Sequence, residues 1–242
     1  MTVVGVQAGT HRSRLQLVPG RLAPRVINSD ATGAKVALVA TTALLLGGDR
    51  VDLRLDIGPG AWLEIVEIAG TVAYNAEGKQ SEWNVRATIG AGGLLILQGE
   101  PFVVADGANV LRRSTVELDS SAIACIRETV VLGRSGERGG ALRLTNRVDR
   151  GGRPVLLEDL DLRDRAVREL PGVLGRAAVI DTVTLLGAAR KACPSPGALF
   201  ELDGSAGTIG RDLRAELAGS SIALWWPEWS SAARDRYAAG LR

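Results

Sequence analysis

Histidine and cysteine are almost missing from this chain. Its 242 residues include one histidine, His11, and two cysteines, Cys125 and Cys193. A structural zinc site needs about four Cys or His ligands, more than the chain can supply. Two cysteines in a chain this long suggest reduced thiols, not a disulfide framework. Acid–base or nucleophilic catalysis through histidine would have to run through His11 alone, near the N-terminus. Charge of one sign is lacking as well: 29 Lys and Arg face 27 Asp and Glu, a formal net charge of +2. That excludes a strongly basic nucleic-acid surface. No basic stretch followed by an apolar run opens the sequence, so no secretion signal is expected. The longest apolar run, Val36 to Leu46, is broken by Thr41 and Thr42, well short of the roughly 20 residues that cross a bilayer. No Gly-x-x-x-x-Gly-Lys-Ser/Thr loop occurs, so the chain does not bind GTP or ATP by that route. A soluble cytoplasmic protein is the expectation.

What the chain has in quantity is glycine, 30 residues of it, punctuating short alternating runs. Val51, Leu53, Leu55 and Ile57 alternate with Asp52, Arg54 and Asp56; Trp83, Val85, Ala87 and Ile89 alternate with Asn84, Arg86 and Thr88. This period of two marks half-buried strands. The runs end in small-residue turns, Gly58-Pro59-Gly60, Gly90-Ala91-Gly92 and Asp119-Ser120-Ser121, and then restart as apolar strands. The third turn residues lie 32 and 29 positions apart. A strand–turn–strand unit recurring at about thirty residues predicts an all-β chain of stacked coils, a β-helix or solenoid, with a meander sandwich as the alternative. Residues 1–190 are expected to form this body. Residues 191–242 are expected to add a loop at Cys193 to Gly197 and about two helices, Arg211 to Leu217 and Trp229 to Leu241, packed on it. Trp225, Trp226 and Trp229 either pin the last helix to the body or form a partner-docking surface.

The parity of the acids carries the functional signal. Glu128 shares its face with Ala122, Ala124, Ile126, Val130 and Leu132; Glu158 shares its face with Leu156, Leu160 and Leu162. Asp49 is in phase with Val51, Leu53 and Leu55. Taking an unpaired carboxylate out of water costs several kcal/mol. Each of these acids is therefore matched by an inward arginine or backbone amides, or is hydrated and functional. A line of carboxylates without histidine or cysteine suits a divalent cation in transit, because oxygen ligands hold borderline metals loosely. The rival is a glycan-active enzyme with two carboxylates about 5–9 Å apart, but Trp62 and Trp83 are the only tryptophans in the β region to serve as sugar platforms.

Several segments, in order, resemble the urease accessory protein D family (UreD, also called UreH), in its actinobacterial form. They are Leu46-Gly-Gly-Asp49-Arg50, Ile57-Gly-Pro-Gly-Ala61, Glu100-Pro101 with Ala105-Asp106-Gly107-Ala108, and Arg127-Glu128 with Leu132-Gly133-Arg134. Gly152-Arg153-Pro154-Val-Leu-Leu-Glu158 and Leu174-Gly-Arg-Ala with Asp181-Thr-Val-Thr-Leu-Leu complete the set, which spans roughly residues 15 to 190. The resemblance implies a β-helical, non-enzymatic protein that joins accessory proteins F and G, G being the GTPase, and docks on urease apoprotein. It further implies transient nickel passage through a water-filled interior, with no nucleic acid or membrane partner. Placed by motif, the family's tunnel acids fall on Asp49, Glu128 and Glu158, with Thr71 a fourth lining position. The C-terminal segment from Trp225 is expected to contact the F protein.

Overall fold

The computed structural model describes residues 1–191 and 197–240. Cys193 and the loop expected around it lie outside the described residues, as does Leu241.

Strands β1 (Thr2–Gln7), β2 (Arg14–Val18), β3 (Leu22–Ser29) and β4 (Gly33–Ala40) form the first part of the fold. The repeating coils follow: β5 (Arg50–Ile57), β6 (Trp62–Glu67), β7 (Thr71–Ala73), β8 (Ser81–Ile89), β9 (Leu94–Gln98), β10 (Phe102–Val104), β11 (Asn109–Leu118) and β12 (Ile123–Leu132). Two long strands, β13 (Ala141–Arg150) and β14 (Arg153–Asp161), precede a single helical turn, α1 (Arg165–Arg168). After β15 (Val179–Leu186) come β16 (Ala198–Glu201), β17 (Gly207–Arg214) and a long helix, α2 (Ser221–Gly240).

The strands make two sheets, stacked as in a β-solenoid. One has the order β14-β13-β11-β8-β5-β1-β2 and the other β16-β17-β15-β12-β9-β6-β4-β3. Successive coils pair in parallel: Trp62 lies beside Leu94, and Leu94 beside Ile123. Those offsets, 32 and 29 residues, equal the turn spacing read from the sequence. The turns repeat too, each closed by one backbone bond: Ala61 N–H to Gly58 O, Gly93 N–H to Gly90 O and Ala122 N–H to Asp119 O. Gly60 and Gly92 both sit at φ +63°, where a Cβ would clash with its own backbone.

Alternation places the core as expected. Val51, Leu53, Leu55 and Ile57 point between the sheets and are buried, whereas Asp52, Arg54 and Asp56 face outward. With Leu63, Ile65 and Leu95 from the second sheet they form one continuous core. Each fully buried aliphatic side chain contributes about 1.5–3 kcal/mol.

A second apolar cluster lies on the outer face of the second sheet, where Leu94, Ile96, Ile123, Cys125, Val183 and Leu185 meet α2. Trp225 and Trp229 stack at 5.8 Å between ring centroids, 12° from parallel, and are 1% and 0% exposed; Trp226 is 9% exposed. These rings therefore pin the helix, and they are not an exposed docking patch. The helix begins at Ser221, eight residues before the expected start, and runs through Pro227. An internal proline costs about 3 kcal/mol; the buried tryptophans on either side offset it. The helix expected over Arg211 to Leu217 is instead strand through Arg214, because β17 pairs with β15 along its whole length. Ladder pairing there overrides the helical preference of Arg, Leu and Ala.

Candidate functional site

Strand register aligns polar residues across the interior in two facing rows. On the second sheet the row runs Glu67, Gly99, Glu128, Thr182, Arg211. Val66 pairs with Gln98, and Gly99 continues that register by donating its N–H to Arg127 O at 3.1 Å. Glu128 then lies beside Thr182, and Thr182 beside Arg211. On the first sheet, Ser114 lies beside Asn146 and Asn146 beside Glu158. Neighbouring strands are about 4.8 Å apart, so the backbones of Glu67 and Glu128 are separated by roughly 10 Å.

Two ion pairs tie the rows together across the gap. Arg112 Nη2 on β11 donates to Glu128 Oε1 at 2.7 Å, and Arg211 Nη1 on β17 donates to Glu158 Oε1 at 2.6 Å. Ser114 Oγ also reaches across to Glu128 Oε1 at 3.4 Å, and the lateral contacts are Asn146 Nδ2 to Glu158 Oε2 at 3.0 Å and Arg211 Nε to Thr182 Oγ1 at 3.2 Å. The Arg112 guanidinium also lies 4.8 Å from the Phe102 ring centre. Between the rows is a narrow cavity of about 50 Å³, room for about three waters. Two buried polar atoms near it, Arg112 Nε and Asn146 Oδ1, have no protein partner. Buried polar groups of this kind are what ordered water satisfies.

Of the four residues expected to line a cation path, Glu128 and Glu158 point inward and share this polar layer. Neither is an open carboxylate: each is held by an arginine, with side chains 17% and 20% exposed. Asp49 sits apart, in the turn before β5, paired with Arg21 at 2.7 Å and accepting the Leu46 N–H. Thr71 opens β7 beside Phe102, its N–H on Pro101 O. Neither lines the cavity.

Glu67 was not among the expected acids, although it continues the inward parity of Leu63 and Ile65. Its carboxyl lines the cavity and accepts the Glu100 N–H at 2.9 Å. That amide falls in the break between β9 and β10, where no strand partner meets it. Burial raises the Glu67 pKa above its usual value, against the opposing field of Arg112 and that amide bond. Asp181 is a second acid the sequence did not single out. It is fully buried on the outer side of the second sheet and accepts from Arg127, Thr129 Oγ1 at 2.8 Å and Ser220 Oγ at 2.6 Å. Its partners place it under the first turn of α2, where Ser220 Oγ caps the Ile222 N–H. Among the described residues, no three His, Cys, Asp or Glu side chains converge as a metal site.

The UreD urease accessory protein family matches residues 5–226. The chain belongs to this family. It is 48% identical over 199 residues to urease accessory protein UreD 1 of Streptomyces griseus, covering 81% of this chain and 78% of that one. A second relative, urease accessory protein UreD 1 of Saccharopolyspora erythraea, is 36% identical over 187 residues, 76% and 73% of the two chains. The UreD protein of Cereibacter sphaeroides, outside the actinobacteria, is 33% identical over 170 residues, 68% and 61% of the two chains. The UreD match reaches beyond the recognised motifs to include β17, and with it Arg211, the partner of Glu158.

Proposed function

We propose that this chain is a non-catalytic scaffold of urease maturation that passes nickel to the urease apoprotein through its interior. Nickel released by the GTPase, accessory protein G, passes accessory protein F and then moves between carboxylates and waters of the polar layer. The observation that supports this is the pair of facing rows, with Glu128 and Glu158 turned between the sheets of a fold that otherwise buries aliphatics there. Carboxylate, hydroxyl and amide oxygens bind nickel weakly beside imidazole or thiolate, which suits release. The absence of a three-ligand cluster among the described residues fits a series of weak stations better than a storage site. Helix α2 presents its outer face, with Leu224 exposed, to protein F. No helix among the described residues is long and apolar enough to cross a membrane, and the setting of this step of nitrogen metabolism is the cytoplasm.

The carbohydrate-enzyme reading has less support. Glu128 lines a cavity of about 50 Å³, which Glu158 does not reach, whereas small-molecule sites occupy about 300–1,000 Å³.

The test is urease activation in a reconstituted accessory complex. Glu128→Gln and Glu158→Gln should leave assembly intact, as judged by co-elution with F and G, and should each reduce nickel delivered to the apoprotein severalfold. Full delivery by both variants in intact complexes rejects the conduit.

A further inference from the structure

The Arg211–Glu158 pair lies directly beneath the seat of α2. Gly210, Arg211 and Asp212 are consecutive on β17, so alternation sends the first and third outward and Arg211 inward. On the outside, a Cβ at Gly210 would come 2.6 Å from the Trp225 ring and 3.2 Å from that of Trp229. The bare glycine is therefore what lets both rings rest on the strand. Asp212 Oδ2 accepts the N–H of Ser221, the first residue of the helix, at 2.8 Å. On the inside, Arg211 Nη1 and Asn146 Nδ2 occupy the two oxygens of Glu158. Three adjacent residues thus connect the seat of the helix to an interior carboxylate.

The seat itself is not fully satisfied. The indole N–H groups of Trp225 and Trp229 are buried without an acceptor, and unmet buried donors weaken a packed contact. Beyond β17, the edge strand β16 is exposed along its length, so on the outer face α2 is the element that holds β17 down.

We propose that Arg211 is a latch coupled to α2: with the helix seated it neutralises Glu158 and shuts that carboxylate against a divalent cation, and lifting the helix frees it. The latch rests on the conduit reading above and adds its regulation. A cation reaching Glu158 must displace a guanidinium that repels it and an amide that already uses the second oxygen. Moving Arg211 removes the larger obstacle in one step.

The test measures binding of nickel sulfate to the full-length chain by equilibrium dialysis at fixed ionic strength. Arg211→Gln keeps a hydrogen-bond donor and loses the charge. It should bind nickel about tenfold tighter, the least expected from removing one positive charge roughly 5 Å from a divalent ion even at the dielectric of water. Arg211→Gln combined with Glu158→Gln should lose the gain, and Arg211→Lys should bind as weakly as the unchanged chain. Ser221→Pro removes only the N–H given to Asp212, at a helix position that accepts proline. It should tighten binding to a smaller degree, and should add nothing to Arg211→Gln. Unchanged affinity in Arg211→Gln, or an independent gain from Ser221→Pro, overturns the latch. Glu158→Gln in the assembled complex separates the two ideas: impaired delivery with no latch effect leaves the conduit standing, normal delivery by this variant removes the latch, and normal delivery by Glu128→Gln as well removes both.

Discussion

Arg112 and Glu128 stand on opposite sheets and meet between them, Nη2 to Oε1 at 2.7 Å, with the guanidinium also against the Phe102 ring. The pair works as an internal strut at the level where β12 passes the break between β9 and β10. Removing one partner of a buried pair leaves a charge without compensation and costs about 3 kcal/mol. Arg112→Ala should therefore lower Tm by roughly 6–12 °C in a chain this size. Arg112→Met with Glu128→Gln should cost less than the two single changes summed, which a thermal double-mutant cycle reads directly.

Glu67 sets a pH dependence of opposite sign to that of most acids. Its carboxyl titrates above the usual 4.5 because burial disfavours the charge. Between 4.5 and the raised value, the folded chain holds a proton that the unfolded chain has released. Glu67 is thus least costly to the fold below 4.5 and most costly once pH exceeds its folded value. Glu67→Gln keeps an acceptor for the Glu100 N–H and removes the titration. The Tm difference between Glu67→Gln and the unchanged chain should grow in favour of the variant as pH rises from about 4.5 to neutrality. A constant difference across that range contradicts this account.

Trp229 fastens α2 to the outer face. Trp229→Ala should cost about 3–5 kcal/mol and loosen the helix over Cys125. That thiol is fully buried, and burial holds its pKa far above the ordinary thiol range, so the unchanged chain should resist thiol reagents there. In a Cys193→Ser background, reaction with an aromatic disulfide should be slow, and Trp229→Ala should accelerate it by at least an order of magnitude. Equal rates place the helix elsewhere.

Gly99 leaves a gap in the inner row between Glu67 and Glu128. A Cβ there would lie 2.9 Å from Arg127 O and 3.7 Å from Glu67 Oε2. Gly99→Ala must therefore shift a backbone carbonyl in the middle of the sheet. A loss of about 1–3 kcal/mol is expected, visible in urea denaturation as a lower midpoint with unchanged slope.

The coils were legible from the sequence because half-buried strands write their two faces as alternation, and because equivalent turns recur at the register offset. Inward acids were legible by the same parity, Glu128 and Glu158 outright and Glu67 by a signal that was there to be read beside Ile65. Their partners were not. Arg112 and Arg211 lie 16 and 53 residues from the acids they hold, a relation that only the stacking of sheets creates. The strand at Arg211 was hidden for a similar reason, since its conformation comes from the ladder with β15 and not from its own residues. Pro227 masked the first two turns of α2, whose stability comes from tryptophans packed on a distant sheet.

The turn corners keep a fixed length while the far side of each coil does not. Trp62, Leu94 and Ile123 each stand twelve positions after the strand partners Arg50, Glu82 and Leu111. Further along, from the strand partners Thr71, Phe102 and Val130 to the next long strand, the chain takes eleven positions to Glu82, nine to Leu111 and thirteen to Arg143. Loop changes and inserted tags therefore belong on the side of residues 74–80 and not at Gly60 or Gly92. There an added residue would swap the faces of the strand that follows and turn its aliphatics out to water.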